Sequence, residues 1–346
     1  MSALAIIDTA AFEANVRVLV DRVAPAEVML AVKADAYGHG MSRLAAHALA
    51  AGARSLAVLE IPAALQLRAQ GIDAPLFAWL HGVDSDFSAA IDADIELGVS
   101  SLAQLTAIAG ANRAAHSARV HLKIDTGLHR NGATPEEWPD LVAEAVKVHE
   151  GGGVVLDGVW SHLADASPED DDEAITAFER ALAVVAEHGA HPRVRHLAAS
   201  SAGWREPRSR YDRVRFGIAA YGISPFDDRS GFDLGLRAVM TLTTTVSDCP
   251  SEPGTHWIGA GYADGVPVAA RDAEVSLAGR RARVLEVGVD RTLIHDSGSC
   301  EAGQEVVVFG EPATGAPSAE DWAAWSGTIG DEIVTGVPPR VTREYR

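Results

Sequence analysis

A lysine at the end of an apolar run is the first residue in this chain placed to do covalent chemistry. Lys33 lies in the run VMLAVKA (28–34), and Asp-Ala-Tyr-Gly-His-Gly completes the segment. If that run is a strand, the ammonium leaves an apolar wall for a partly desolvated mouth. Desolvation lowers an amine's pKa and frees its lone pair to attack a carbonyl, the opening step of Schiff-base formation. Gly38 and Gly40 let the chain turn tightly beside a ligand. On position alone, a lysine snorkelling at a strand end is the commoner occurrence. Other candidates stand further along. Lys123 and Arg130 lie in HLKIDTGLHRNG (121–132), His162 ends Trp-Ser-His, Arg215 lies in RVRFGIAAYG (213–222), and Tyr262 lies in IGAGYADGVP (258–267). Taken singly, LKIDTG is an ordinary strand-to-turn signal with a solvated lysine, and a lone strand histidine is more often a core residue.

These cations are informative because positive charge is scarce. The chain has 346 residues and a formal net charge of −19. A surface this acidic repels phosphate backbones and anionic lipids, which argues against nucleic-acid and membrane partners. An anionic ligand would need a locally basic pocket. Cys249 and Cys300 show no CxxC spacing, so neither a metal site nor a disulfide framework is expected from them. The first residues (MSALAIIDTA) lack a basic region before an apolar stretch, and no run reaches the length of a spanning helix. The expected setting is a reducing cytoplasm.

The elements that must position these residues alternate regularly. Apolar, β-branched runs fall near 28–34, 55–59, 75–80, 95–99, 118–124, 154–161, 193–198 and 212–216. Ala-rich helical stretches such as 101–115, 136–149 and 168–188 separate them, the last with an acidic first turn. Near-continuous apolar strands alternating with helices imply a parallel sheet covered on both faces. Eight of them predict an α/β fold, a (β/α)8 TIM-type barrel, with a doubly wound sheet as the alternative. From about 228 onward Thr, Val and Gly dominate, with one helix expected near 318–326. The expected domains are a barrel over 1–227, with residues 1–8 free to pair with the second domain, and a mainly-β domain over 228–346. Ser224 to Asp228 reads as the linker.

AVKADAYGHG resembles the cofactor-lysine segment of the alanine racemase family nearly letter for letter, and further segments follow in family order along almost the whole chain. The resemblance implies pyridoxal 5'-phosphate carried on Lys33, with Tyr37 beside it. HLKIDTGLHRNG resembles the segment that places Lys123 and Arg130 near the cofactor's phenolic oxygen. In the family that lysine is often carbamylated, and the arginine also meets the substrate carboxylate. His162 matches a supporting partner of the arginine facing the pyridine nitrogen, and Arg215 matches that arginine. Ser200, in RHLAASSAGW, resembles the phosphate-binding serine, with Ala199 where Asn is common. Gly217 and Ile218 match backbone donors to the phosphate, a role open to N–H groups at a glycine-containing turn. Tyr262 matches the second base, while EVGVDRTLIHD brings Val289 near the substrate and Asp290 in a supporting role.

Inverting a stereocentre needs a proton removed from one face and returned to the other, so two groups on opposite faces are required. The resemblance assigns these to Lys33 and Tyr262, in a head-to-tail homodimer that shares its active sites between subunits. The implied reaction interconverts L- and D-alanine and supplies D-alanine for the cell wall. Within lysine-bearing barrels of this kind, a D-amino-acid aldolase, a decarboxylase, or a cofactor-binding homologue without turnover are the alternatives. This chain departs from the family pattern in four places. The stretch before Tyr262 (247–259) is shortened, Val268 stands where Arg is usual, Gly288-Val289 replaces Cys-Met, and Asp331 replaces a phosphate-side tyrosine.

Overall fold

The structure, a computed structural model, describes residues 3–111, 117–250, 254–298 and 300–346. It divides into two compact units. One comprises Leu19–Lys33 and Ala48–Gly217; the other comprises the segment ending at Val18, Ala34–His47 and Ile218–Arg346.

The first unit is the expected barrel. Its strands are β2 (Glu27–Ala31), β3 (Ser55–Val58), β4 (Leu76–Ala78), β5 (Ile95–Val99), β6 (Ala118–Lys123), β7 (Val154–Trp160), β8 (Val194–His196) and β9 (Arg213–Phe216), with β1 (Leu4–Ile7) outside it. All neighbours pair in parallel, in the order β8-β7-β6-β5-β4-β3-β2-β9. Each run read as a strand is one. β5 is buried at every position because both of its faces are covered. The seam between β8 and β9 is not a full ladder. Asp212 N–H donates to Arg195 O at 3.1 Å and Arg215 N–H to Ala198 O at 3.0 Å, so the sheet is nearly closed. Closure leaves little exposed strand edge. Helices Leu102–Ala111, Trp138–Glu150 and Pro168–Glu187 fall where the pattern put them, and positions 112–115 of the first stretch lie outside the described residues. The Ser167 side chain caps the last of these helices by accepting from Asp170 N–H at 3.1 Å. Inside the barrel Met29, Ala57, Phe77 and Trp160 form the apolar filling.

The second unit is built on an antiparallel-rich sheet. Its strands are β10 (Met240–Asp248), β11 (Thr255–Ile258), β12 (Glu274–Leu277), β13 (Arg280–Val287), β14 (Thr292–His295), β15 (Glu305–Phe309) and β16 (Thr342–Tyr345), together with β1. β1 lies between β10 and β16, pairing Leu4 with Thr243 and with Thr342. Within 247–259, β10 ends at Asp248 and β11 begins at Thr255, and positions 251–253 lie outside the described residues. Helix Ala319–Ser326 opens with a capping box in which Ser318 and Asp321 satisfy each other's N–H groups. Ser224, read as linker, donates its N–H to Glu320 Oε1 at 3.0 Å and is tied into this unit.

The segment after Lys33 has a backbone the sequence did not announce. Ala34, Asp35, Ala36 and Tyr37 all have positive φ, from 50° to 55°, forming a left-handed helical turn. Each such L-residue costs about 1–2 kcal/mol. Gly38 N–H donates to Ala34 O at 2.9 Å, Gly40 N–H to Asp35 O at 2.8 Å, and Met41 N–H to Asp35 Oδ1 at 2.8 Å, which holds the turn. Strain of this kind persists where the surroundings over-determine it, and it gathers at functional sites. Gly38 and Gly40 sit at the exit of the turn. A Cβ at Gly40 would fall 1.9 Å from Tyr345 Oη, and one at Gly38 would fall 2.7 Å from Val334 O.

Candidate active site

A parallel barrel brings all its strands' carboxyl ends to one rim, the face that carries chemistry in this architecture. Lys33 stands two residues past β2, Lys123 ends β6, His162 stands two residues past β7, and Arg215 and Gly217 lie at the end of β9. Residues far apart in sequence therefore share one electrostatic environment. Burial holds the His162 imidazole well below its usual pKa, and Arg215, Arg130, Lys123 and Lys33 each push it further down. Burial, then Arg215 and Arg130, bring the Lys123 ammonium down to about 7, with Asp125 pulling the other way. Lys123 Nζ contacts Asn131 Oδ1 and lies 4.5 Å from the centroid of the Trp160 ring. Arg130 is exposed, on a loop organised by Asp125 Oδ1, which accepts from the N–H groups of Gly127 and His129 at 3.1 Å each.

Arg215 is the most firmly held of these cations. Its Nη1 donates to His196 O at 3.0 Å and His196 Nδ1 at 2.9 Å. Its Nη2 donates to Ser161 O at 2.6 Å, Leu197 O at 2.8 Å and His162 Nδ1 at 3.2 Å. Five acceptors fix the guanidinium's position, while burial and then Arg130 bring its pKa down to about 9. Gly217 N–H donates to Ser200 Oγ at 3.0 Å, so the two residues assigned to the phosphate are adjacent.

Behind Arg215 runs a buried polar line that the sequence did not reveal. A guanidinium only donates, so His196 Nδ1 must accept and its Nε2 must carry the proton. That Nε2 lies 2.8 Å from His121 Nδ1, which accepts in turn and leaves His121 Nε2–H facing Glu96 Oε2 at 3.4 Å. Glu96 Oε1 accepts from Arg119 at 2.5 Å, and Asp157 Oδ2 from Arg119 at 2.9 Å and Arg193 at 2.8 Å. Burial raises the Asp157 carboxyl, but hydrogen bonds from His121, Arg193 and Arg119 overcome it and hold the group far below the usual range. One tautomer chain thus links the rim to an ion cluster in which Glu96 and His121 are fully buried while Arg119 and Arg193 reach solvent. Glu96→Ala would leave cations facing an apolar gap, and we expect a loss of about 3 kcal/mol in unfolding free energy. A change below about 1 kcal/mol in denaturant titration would show that Asp157 alone carries the cluster.

The second unit holds the remaining candidates. Tyr37 is buried beside Tyr221, with ring centroids 5.0 Å apart. Burial and the charge of Asp331 push its phenol ionisation well up, so it is a neutral hydrogen-bonding group. Asp331 lies in the first turn of helix Gly330–Thr335, and Ile218 begins the buried turn Ile218–Tyr221. Tyr262 sits on a short turn that three contacts fix. Its N–H donates to Gly288 O at 2.9 Å, Asp264 Oδ2 accepts from Gly261 N–H at 3.0 Å, and Arg340 donates to Asp264 Oδ1 at 2.7 Å. Ala263 N–H donates to Val289 O at 2.9 Å. The segment carrying Val289 and Asp290 therefore holds the Tyr262 turn through its main chain, while both of those side chains are exposed. A Cβ at Gly261 would fall 2.4 Å from Gly288 O, so the glycine directly before Tyr262 is a packing requirement.

Sequence reasoning missed His196, His121, Glu96, Asp157 and Asn131 at this site. His196 and Asn131 lie inside quoted motifs, and His121 opens one, but nothing along the chain says that two histidines on β6 and β8 meet.

Comparison with known proteins places the chain in a family. The family model for the alanine racemase N-terminal domain matches residues 7–225, and that for the C-terminal domain matches residues 245–345. The chain is 42% identical to the alanine racemase of Thermobifida fusca, covering 98% of this chain and 96% of that one. It is 39% identical to the alanine racemase of Mycolicibacterium smegmatis, covering 99% and 95%. The crystal structure of alanine racemase from D-cycloserine-producing Streptomyces lavendulae superposes with a TM-score of 0.97 at 36% identity, covering 100% of this chain and 97% of the other. That from Streptomyces coelicolor A3(2) gives 0.96 at 37% identity, covering 99% and 98%. The chain belongs to the alanine racemase family.

Proposed function

We propose that this chain interconverts L- and D-alanine with pyridoxal 5'-phosphate held at the barrel rim. One observation carries the reading: the cations Lys33, Arg130 and Arg215, with the Lys123 amine beside them, all act on His162 in a protein with net charge −19. Such a concentration of positive charge is costly unless an anion answers it. A phosphorylated aldehyde with a phenolic oxygen matches this donor set. Ser200 and the Gly217 and Ile218 backbone would hold its phosphate, Arg130 its phenolic side, and Arg215 its ring nitrogen. When bound, the cofactor supplies an electron sink for the charge left as the α-proton departs.

The chain's own residues do the rest. Lys33 holds the cofactor and moves a proton on one face, and Tyr262 moves it on the other. Arg215, held in place by its five acceptors, remains a positively charged donor at neutral pH even though burial and Arg130 bring its pKa down to about 9. His162, held neutral by burial and its neighbours, accepts from Arg215 instead of adding a further cation. The direct test is the optical rotation of L- and D-alanine solutions with the purified protein in deuterated buffer. Racemisation with α-deuterium uptake is expected, and turnover of L-alanine to any other product would sink the reading.

The active unit in this proposal is a homodimer with shared sites. A base works best shielded from water, yet Tyr262 is 50% exposed, and Val268, Val289 and Ile329 in the same unit are exposed too. A second copy would cover them. Among the described residues no helix is long and apolar enough to cross a membrane. The two cysteines are free thiols, which suits a cytoplasmic setting.

Lys123 would carry a carbamate. Its neutral amine nitrogen attacks carbon dioxide and a proton leaves to solvent. The neutral fraction grows as pH rises through the amine's pKa, here about 7 where an ordinary lysine stands at 10.5. Carbon-13 spectra in labelled bicarbonate are expected to show one carbamate signal that rises through neutral pH and vanishes in Lys123→Ala. A signal that survives this substitution would place the modification elsewhere.

A further inference from the structure

Two cysteines with no motif spacing meet a histidine in the second unit. Cys249 follows β10 directly, His256 lies in β11, and Cys300 precedes β15. β10 and β11 are paired, so Cys249 and His256 share one hairpin, while Cys300 comes from 51 positions beyond Cys249. The two Sγ atoms are 3.9 Å apart, and one ligand atom from each of the three residues lies within 4.8 Å of the other two. His256 is only 7% exposed, yet neither ring nitrogen has a hydrogen-bond partner among the described residues. A buried imidazole with neither nitrogen hydrogen-bonded is costly, and an ion bound at one of them is one way such a group is satisfied.

We propose that Cys249, His256 and Cys300 form a site for a thiolate-preferring divalent cation, Zn2+ in the first instance. The spacing matches. With Zn–S bonds of about 2.3 Å in a tetrahedron, two sulfurs lie roughly 3.8 Å apart, close to the distance found here. A disulfide needs about 2.05 Å, so these sulfurs sit apart as two ligands do. Two thiolates and an imidazole favour zinc or cobalt and give hard cations such as Mg2+ or Ca2+ nothing to prefer. On binding, both thiol protons leave to solvent, His256 coordinates as the neutral ring, and the two thiolates balance the metal's charge. Water completes the tetrahedron. Arg280 and Asp296, paired at 2.6 Å, both lie near Cys300; burial, Cys249 and Asp296 push its thiol up, and Arg280 acts the other way. Cys249 is exposed, which gives the metal a way in. The bound ion would clasp the β10–β11 hairpin to the segment ahead of β15, closing a long loop.

The inference is independent of the racemase reading, and its test reads the metal directly. The cofactor-loaded full chain, kept reduced and free of metal, is titrated with Co2+. One equivalent is expected to produce the intense near-ultraviolet thiolate charge-transfer band, and equimolar Zn2+ should abolish it. Cys249→Ser, on an exposed side chain that should not disturb folding, is expected to lose most of the band and to weaken Zn2+ binding at least tenfold. Cys300→Ser should do the same, and Zn2+ should raise the melting temperature of the unsubstituted protein alone. Absence of the band in the reduced protein, or a full band in Cys249→Ser, would overturn the site. So would thiols that resist alkylation until reductant is added, because the pair would then be a disulfide.

Discussion

Lys33→Ala is expected to yield a folded protein that stays colourless through gel filtration after incubation with pyridoxal 5'-phosphate. Its α-proton exchange from either enantiomer of alanine should fall by roughly four orders of magnitude or more, because in the proposed scheme one side chain serves as both anchor and base. The structural cost should be small, since Lys33 is only partly buried and the strained Ala34–Tyr37 turn is held by main-chain bonds and Asp35. The loss is therefore chemical and should appear with an unchanged melting temperature in the cofactor-free protein. If the variant keeps a visible absorbance band through gel filtration and racemises within tenfold of the parent, Lys33 neither carries the cofactor nor moves the proton.

Tyr262→Phe separates the two faces. The ring remains, so packing is conserved, and the turn beneath it is fixed by Gly288, Asp264 and Arg340 without the phenol oxygen. Cofactor binding and colour should survive. Solvent exchange of the α-hydrogen should drop by about 10²–10⁴-fold for the enantiomer whose proton Tyr262 takes, and far less for the other. Proton nuclear magnetic resonance of L- and D-alanine in deuterated buffer measures both rates in one experiment. Undiminished and equal exchange from both enantiomers would contradict a two-base scheme and leave Lys33 to serve both faces. The two variants are complementary, because losing colour and losing one direction of exchange are distinct failures.

The ion cluster beneath the rim bears on how such variants should be read. Arg215 reaches Glu96 through two histidines that must share one tautomer arrangement, so a change at His121 or His196 alters the charge presented at the rim without touching it. These are positioning residues. Their variants should shift the spectrum of the bound cofactor before they abolish turnover.

What the chain spells out by itself is whatever depends on neighbours in sequence. The eight barrel strands were legible because a strand covered on both faces must be apolar over several consecutive residues, as Ile95–Val99 is. Lys33, Arg215 and Tyr262 stood out in the sequence because AVKADAYGHG, RVRFGIAAYG and IGAGYADGVP resemble segments of the family. The left-handed turn at Ala34–Tyr37 was not, because Ala, Asp and Tyr carry no local preference for positive φ, and only hydrogen bonds to atoms further along hold them there. Nor was the line from Arg215 through His196 and His121 to Glu96, whose two histidines lie 75 positions apart and meet only because the sheet curls. Cys249, His256 and Cys300 tell the same story on the second sheet. Residue types and short spacings fix which groups are available; closing a sheet decides which of them share a low-dielectric space, and there charge and hydrogen bonding acquire their strength.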